Sequence, residues 1–158
     1  SIKNGKIKPL GNGKFMVNVN DGTESDISVM ANMENGENRS MGTVKFRVKR
    51  VPPPSVKFAS LTTDGTITKG EIDVTLGPIA NYPNFPFNAP CKVVSFTLSV
   101  LSNGAVEDYQ IKTNIIPQNL KDRLKKLRKG ERVMISEVRV LGPDTKVVSA
   151  SGLTMKVR

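Results

Sequence analysis

Along most of this chain apolar residues fall at every second position, the period of a strand with one buried face. Phe15, Val17 and Val19 share one face; Ile27, Val29, Ala31 and Met33 share another. Val44, Phe46 and Val48 point one way while Lys45, Arg47 and Lys49 point the other. That strand is expected to have a buried face and a basic, solvated one. Turn residues separate the runs: Gly11-Asn12-Gly13, Asn20-Asp21-Gly22 and Asn35-Gly36. Residues 1–50 therefore predict a short antiparallel meander, with about four strands where an immunoglobulin-like sandwich uses about seven.

Val51-Pro52-Pro53-Pro54 interrupts the pattern. Three successive prolines lack backbone donors and favour polyproline II, so Pro52, Pro53 and Pro54 predict a fairly stiff joint between two halves. Weaker strands are expected near 56–60 and 66–76. From Gly77 to Pro90, four prolines interleave with Tyr82, Phe85 and Phe87. This is too proline-rich for a ladder and reads as an ordered loop whose aromatics cover an edge. The longest strand is Lys92–Ser102, with Val94, Phe96, Leu98 and Val100 on one face. A Ser102-Asn103-Gly104 turn leads into Ala105–Lys112. Leu120, Leu124 and Leu127 form a helical stripe between Pro117 and Gly130, which predicts one amphipathic helix over about 117–128. A strand at Arg132–Leu141, a Gly142-Pro143-Asp144 turn and a strand at Leu153–Val157 complete the chain.

Composition narrows the function. With 158 residues the chain fits one ordinary domain or two small ones. It opens at Ser1, which reads as a mature product or a piece of something longer. Histidine is absent, which removes the commonest general base and the commonest imidazole ligand. One cysteine, Cys91, excludes an internal disulfide and leaves both periplasm and cytosol open. No histidine activates it, so it reads as a structural thiol. Asp21, Glu24 and Asp26 could hold calcium through oxygens but miss the EF-hand spacing, and a solvated turn is the plainer reading. Glu107-Asp108, and Glu71 with Asp73, have the spacing of ordinary strand-edge charges. Gly11-Asn12-Gly13 lacks the helix that a phosphate-binding loop needs. No catalytic residue, metal site, cofactor or small-molecule substrate is expected.

The net charge of +10 points to acidic partners. Half of it sits in Lys121–Arg132, where Lys121, Arg123, Lys125, Lys126, Arg128, Lys129 and Arg132 outnumber Asp122 and Glu131. The window is a solvated helix face, a docking patch for an acidic protein or a contact for nucleic-acid phosphates. No aromatics interleave with the cations and no nucleic-acid-binding motif accompanies them, which favours a protein partner over nucleic acid. Tyr82, Phe85 and Phe87 form a secondary interface candidate.

Three ordered stretches resemble the C-terminal part of the GldM/PorM family of gliding-motility and type IX secretion proteins. They are Arg39–Gly42 running into Phe46–Pro52, then Lys92–Ser99, then Leu124–Gly130 followed by Val138–Asp144. The resemblance implies a periplasmic region of successive domains, held in the inner membrane by an N-terminal helix absent here. It also implies a homodimer of the full-length protein. A membrane partner of the PorL/GldL type would engage the missing N-terminal region to form a proton-driven motor. The far end would contact an outer-membrane-associated ring of PorK/GldK and PorN/GldN types.

The expected fold class is thus all-β: two consecutive small β-sandwich or immunoglobulin-like domains, the second with one amphipathic helix. The expected boundaries are 1–51, an N-terminally truncated penultimate domain, a joint at 52–54, and 55–158. The expected function is a non-enzymatic adaptor arm, with a nucleic-acid-binding or other protein-interaction module as the alternative.

Overall fold

Alternation in the sequence becomes strand almost throughout. The computed structural model describes residues 1–19, 22–49, 51–86 and 88–158. Its elements run β1 (Gly5–Gly11), β2 (Lys14–Val19), β3 (Glu24–Asn32), β4 (Asn38–Arg47), β5 (Ser55–Lys57), β6 (Gly65–Ile67), α1 (Lys69–Val74) and β7 (Ile79–Asn81). Then come β8 (Lys92–Ser102), β9 (Ala105–Ile111), α2 (Gln118–Lys125), β10 (Arg132–Leu141), β11 (Val147–Ala150) and β12 (Leu153–Val157). The protein is all-β in class with two short helices. Two compact units, Ser1–Val51 and Pro52–Arg158, divide it.

In the first unit β1 pairs with β2, and β3 with β4, as two separate antiparallel hairpins. The expected continuous meander does not form. The outer edge of β3, where β2 would lie, is taken by the first residues: Ile2 bridges Ile27, Lys3 N–H donates to the Asp26 carbonyl, and Ser28 N–H donates to the Ser1 carbonyl. Asn20 and Asp21 of the expected second turn lie outside the described residues.

The expected buried face is also uncovered: Val29, Val44 and Phe46 are 54%, 57% and 50% exposed. A two-stranded hairpin has no second layer of its own to lie against. Val17, Val19, Ile27, Phe46 and Val48 instead line an apolar concavity of about 430 Å³.

All buried hydrophobic residues, among those described, lie between Val56 and Val157. The second unit is built on a six-stranded sheet ordered β6-β12-β10-β8-β9, with β11 on β10. One core joins Phe96, Leu98, Val133, Ile135 and Met155 of the sheet to Val56 and Phe58 of the β5 segment, Ile72 of α1 and Leu124 of α2.

Here too the structure corrects the sequence reading. Two helices form, not one, because Thr68 and Glu71 make a reciprocal capping box that starts α1 where a weak strand was expected. The proline-rich stretch does hold a ladder: Ile79-Ala80-Asn81 lies between Pro78 and Pro83, keeps its amides, and pairs with β5. A strand missed in the sequence, β11, pairs with β10 after the Gly142 turn. Val94 does not join Phe96 in the core. Its neighbour Val93 does, at 2% exposure, because register shifts between Ser136 and Val140 switch the faces of β8 and β10. Glu137, at φ 50°, is the extra residue in β10, and Val94, between the Ser95–Arg139 and Val93–Val140 pairs, is the extra residue in β8.

Candidate protein-docking surface

The cation-rich window folds into α2, the turn after it and the start of β10. Pro117 is the N-cap of α2, and its missing N–H costs nothing there. The helix stops at Lys125, short of the expected 128, because Lys126 and Leu127 N–H bond only three residues back, to the Arg123 and Leu124 carbonyls. Gly130, at φ 96°, then lets the chain reverse, and its N–H reaches the Val157 carbonyl.

Three of the seven cations are used within the fold. Lys121 is 9% exposed and its Nζ donates to the Asp73 carbonyl at 3.3 Å. Arg123 donates to both carboxylate oxygens of Glu107, at 2.8 and 3.2 Å. Lys125 pairs with the Asp73 carboxylate at 2.8 Å. These contacts tie α2 to α1 on one flank and to β9 on the other. The Arg123 hydrogen bonds, with a further one from the Tyr109 hydroxyl, lower the Glu107 carboxyl to about 2. Lys125 is raised by its hydrogen bond to Asp73.

The other four cations face solvent. Lys126, Arg128, Lys129 and Arg132 are exposed, and none makes an ion pair among the described residues. Glu131 sits inside this group. Hydrogen bonds from the Ser102 hydroxyl and the Arg128 amide hold its carboxyl below the ordinary value.

The sheet adds a cation that the sequence window missed. Lys156 of β12 stands directly opposite Arg132 of β10, and both are exposed. Like charges in register repel, so this pair opposes folding and favours an anionic group over it. Its only sequence signal was a basic residue in each of two expected strands, with nothing to set their register.

The other candidates lie elsewhere. Tyr82 and Phe85 are half-buried with ring centroids 6.2 Å apart, while Phe87 lies outside the described residues. Burial, then the nearby Cys91 and Asp144, raises the Tyr82 hydroxyl. Cys91 packs against the core, and burial raises its thiol, which keeps it protonated and poorly nucleophilic. Glu24 is paired with Lys45 at 3.2 Å; Asp21 lies outside the described residues. Pro52 is half-buried, Pro53 exposed and Pro54 buried. Among the described residues, no helix is long and apolar enough to cross a membrane.

Two family models match consecutive stretches. The GldM third domain matches residues 1–49, and the GldM C-terminal domain matches residues 52–158. No curated protein matches the chain closely enough to count as a relative. Since these matches leave only residues 50 and 51 uncovered, the chain belongs to the GldM family and is a structural component of gliding-motility and type IX secretion machinery.

Proposed function

We propose that this chain is the outer part of a periplasmic arm that carries displacement from a proton-driven inner-membrane motor of the GldL/PorL type. Its target is the outer-membrane-associated ring of GldK/PorK and GldN/PorN types. The full-length protein is a homodimer anchored in the inner membrane. Residues 1–51 are part of a larger penultimate domain, whose other strands cover Val29, Val44 and Phe46. Pro52–Pro54 form the stiff joint, since a Gly/Ser spacer would absorb displacement.

The observation that carries the docking part of this reading is the division of the basic window. Lys126, Arg128, Lys129 and Arg132, with Lys156 beside them, are exposed and make no ion pair among the described residues. Such a surface speeds association with an acidic partner and is weakened by salt.

The test is binding of immobilised ring proteins to wild type and to the combined variant Lys126→Glu, Arg128→Glu, Lys129→Glu. The variant is expected to bind about tenfold more weakly at low salt, and the difference should shrink at high salt. Equal affinity at both salts removes the patch from the interface. Tight, salt-sensitive retention of random DNA in a gel shift would point to the nucleic-acid alternative.

A further inference from the structure

The face of the six-stranded sheet turned away from the core holds a polar cleft. Val138 and Val140 are fully buried, so Arg139 between them lies on that outer face. It stands directly opposite Ser149 of β11 and Ser95 of β8. Thr97, opposite Ser136 and Gln110, belongs to the next row of the same face. The extra residues Glu137 and Val94 fall on either side of the Arg139–Ser95 pair. Bulges add twist, re-aim side chains and gather beside binding sites. These rows line a cleft of about 450 Å³, a volume usual for a small-ligand site.

Three charged side chains stand in its lining, Glu137, Arg139 and Lys112. Glu137 and Arg139 have opposite charges and lie two residues apart, at most about 7 Å between Cα atoms. They do not pair with each other, and Lys112 makes no ion pair among the described residues. Each of the two is held by a hydroxyl instead. Thr97 Oγ1 donates to the Glu137 carboxylate at 2.8 Å, and Arg139 Nη1 donates to Ser149 Oγ at 2.9 Å. A second carboxylate oxygen and the rest of the guanidinium fork stay open to the cleft. Glu137 also sits at φ 50°, where glycine fits without strain but would bring no carboxylate.

We infer that this cleft binds the ammonium and carboxylate of an α-amino acid. The ammonium rests on Glu137 and the carboxylate on Arg139, with the Ser95 hydroxyl opposite. The short span between the two charges suits groups on one carbon rather than the two ends of a peptide. Two cations against one carboxylate favour an amino acid with a further anionic group, which Lys112 meets. The same chemistry is presented by a free amino acid and by one pendant on a cell-wall peptide. The cleft shares no residue with the basic window at 121–132, so its failure leaves the docking patch untouched.

The test uses the whole chain and free L-glutamate at millimolar concentration. Titration followed by nuclear magnetic resonance is expected to shift the amide signals of Thr97, Gln110 and Arg139. N-acetylglutamate lacks the ammonium and isoglutamine lacks the α-carboxylate. Each is expected to bind at least tenfold more weakly, as the loss of a hydrogen bond between charged groups requires. Arg139→Gln and Glu137→Gly are expected to weaken glutamate binding by a similar factor. Glycine relieves the strain at φ 50°, so Glu137→Gly should keep or raise the unfolding midpoint, which separates lost binding from lost folding. Purified cell wall gives the second arm. Sedimentation with it that glutamate reverses and both variants lose identifies a pendant amino acid. Glutamate binding without sedimentation identifies a free one. Equal binding of N-acetylglutamate, or unchanged affinity in Glu137→Gly, makes the cleft a plain anion site and overturns the inference. The absence of both glutamate binding and glutamate-reversible sedimentation overturns it as well.

Discussion

Arg123 and Glu107 lie sixteen residues apart in the chain and meet through two charge-assisted hydrogen bonds, which join α2 to the edge strand β9. Because the folded carboxyl is lowered to about 2 from the usual 4.5, its ionised form favours the folded state. That contribution is fully present above the usual value and is lost as pH falls through about 2. Glu71 and Glu131 are also lowered, so they act with the same sign. Thermal unfolding followed from pH 7 to pH 2 should show Glu107→Gln less stable than wild type at neutral pH. The gap should close below about pH 4.5. A gap independent of pH would mean that the carboxyl is not selectively ionised in the folded protein.

The start of α1 depends on two residues. Thr68 Oγ1 accepts from the Glu71 amide at 3.1 Å, and the Glu71 carboxylate accepts from the Thr68 amide at 2.8 Å. Thr68→Ala removes the hydroxyl and leaves that amide without its cap. Loss of about 1 kcal/mol is expected, seen as a fall of several degrees in the unfolding midpoint. Thr68→Ser keeps the oxygen and should recover most of it.

Two glycines differ in what a methyl group would meet. At Gly77 an added Cβ would lie 2.0 Å from the Asn114 carbonyl oxygen, a backbone atom fixed beside the Ile116–Leu76 hydrogen bond. At Gly70, inside α1, the nearest atom is Thr68 Oγ1 at 4.0 Å. Gly77→Ala should therefore cost about 1–3 kcal/mol or more through overpacking. Gly70→Ala should stabilise by about 0.5–1 kcal/mol, because alanine loses less backbone entropy in a helix. Chemical denaturation of the two variants gives opposite signs if the backbone approach at Gly77 is as close as described.

Strands with steady alternation were legible in the sequence to the residue: Lys92–Ser102, Arg132–Leu141 and Leu153–Val157 are β8, β10 and β12. Within β8 and β10 the faces were not, because each strand carries an extra residue, Glu137 in a left-handed conformation with no glycine to signal it and Val94 opposite the Arg139–Val140 step. α1 carried a readable start in Thr68-Lys69-Gly70-Glu71, but with six residues it is too short for a periodic stripe. β11 offers only Val147 and Val148, both exposed, so its pattern never rises above that of a polar loop. In the basic window the charge was visible but its division was not. Lys121 and Lys125 meet Asp73, and Arg123 meets Glu107, through contacts that depend on tertiary packing, as does the pairing of Lys156 with Arg132.

The unequal cores of the two units give the last expectation. All twenty-one buried hydrophobic residues described lie between Val56 and Val157, whereas the only buried residue described in Ser1–Val51 is Ser25, whose hydroxyl donates to the Lys3 carbonyl at 2.7 Å. Burying a large aliphatic or aromatic side chain contributes about 1.5–3 kcal/mol, so the second unit has a source of stability that the first lacks. A 52–158 fragment should unfold cooperatively at nearly the midpoint of the main transition of the whole chain. A 1–51 fragment should show no cooperative transition, since isolated hairpins are marginal in water. The whole chain should bind a hydrophobic dye more strongly than the 52–158 fragment, the difference coming from Phe15, Val29, Val44 and Phe46, which are 50–62% exposed. Cooperative unfolding of the 1–51 fragment would show that the two hairpins form a core of their own. It would then remove the reason for assigning them to a larger domain.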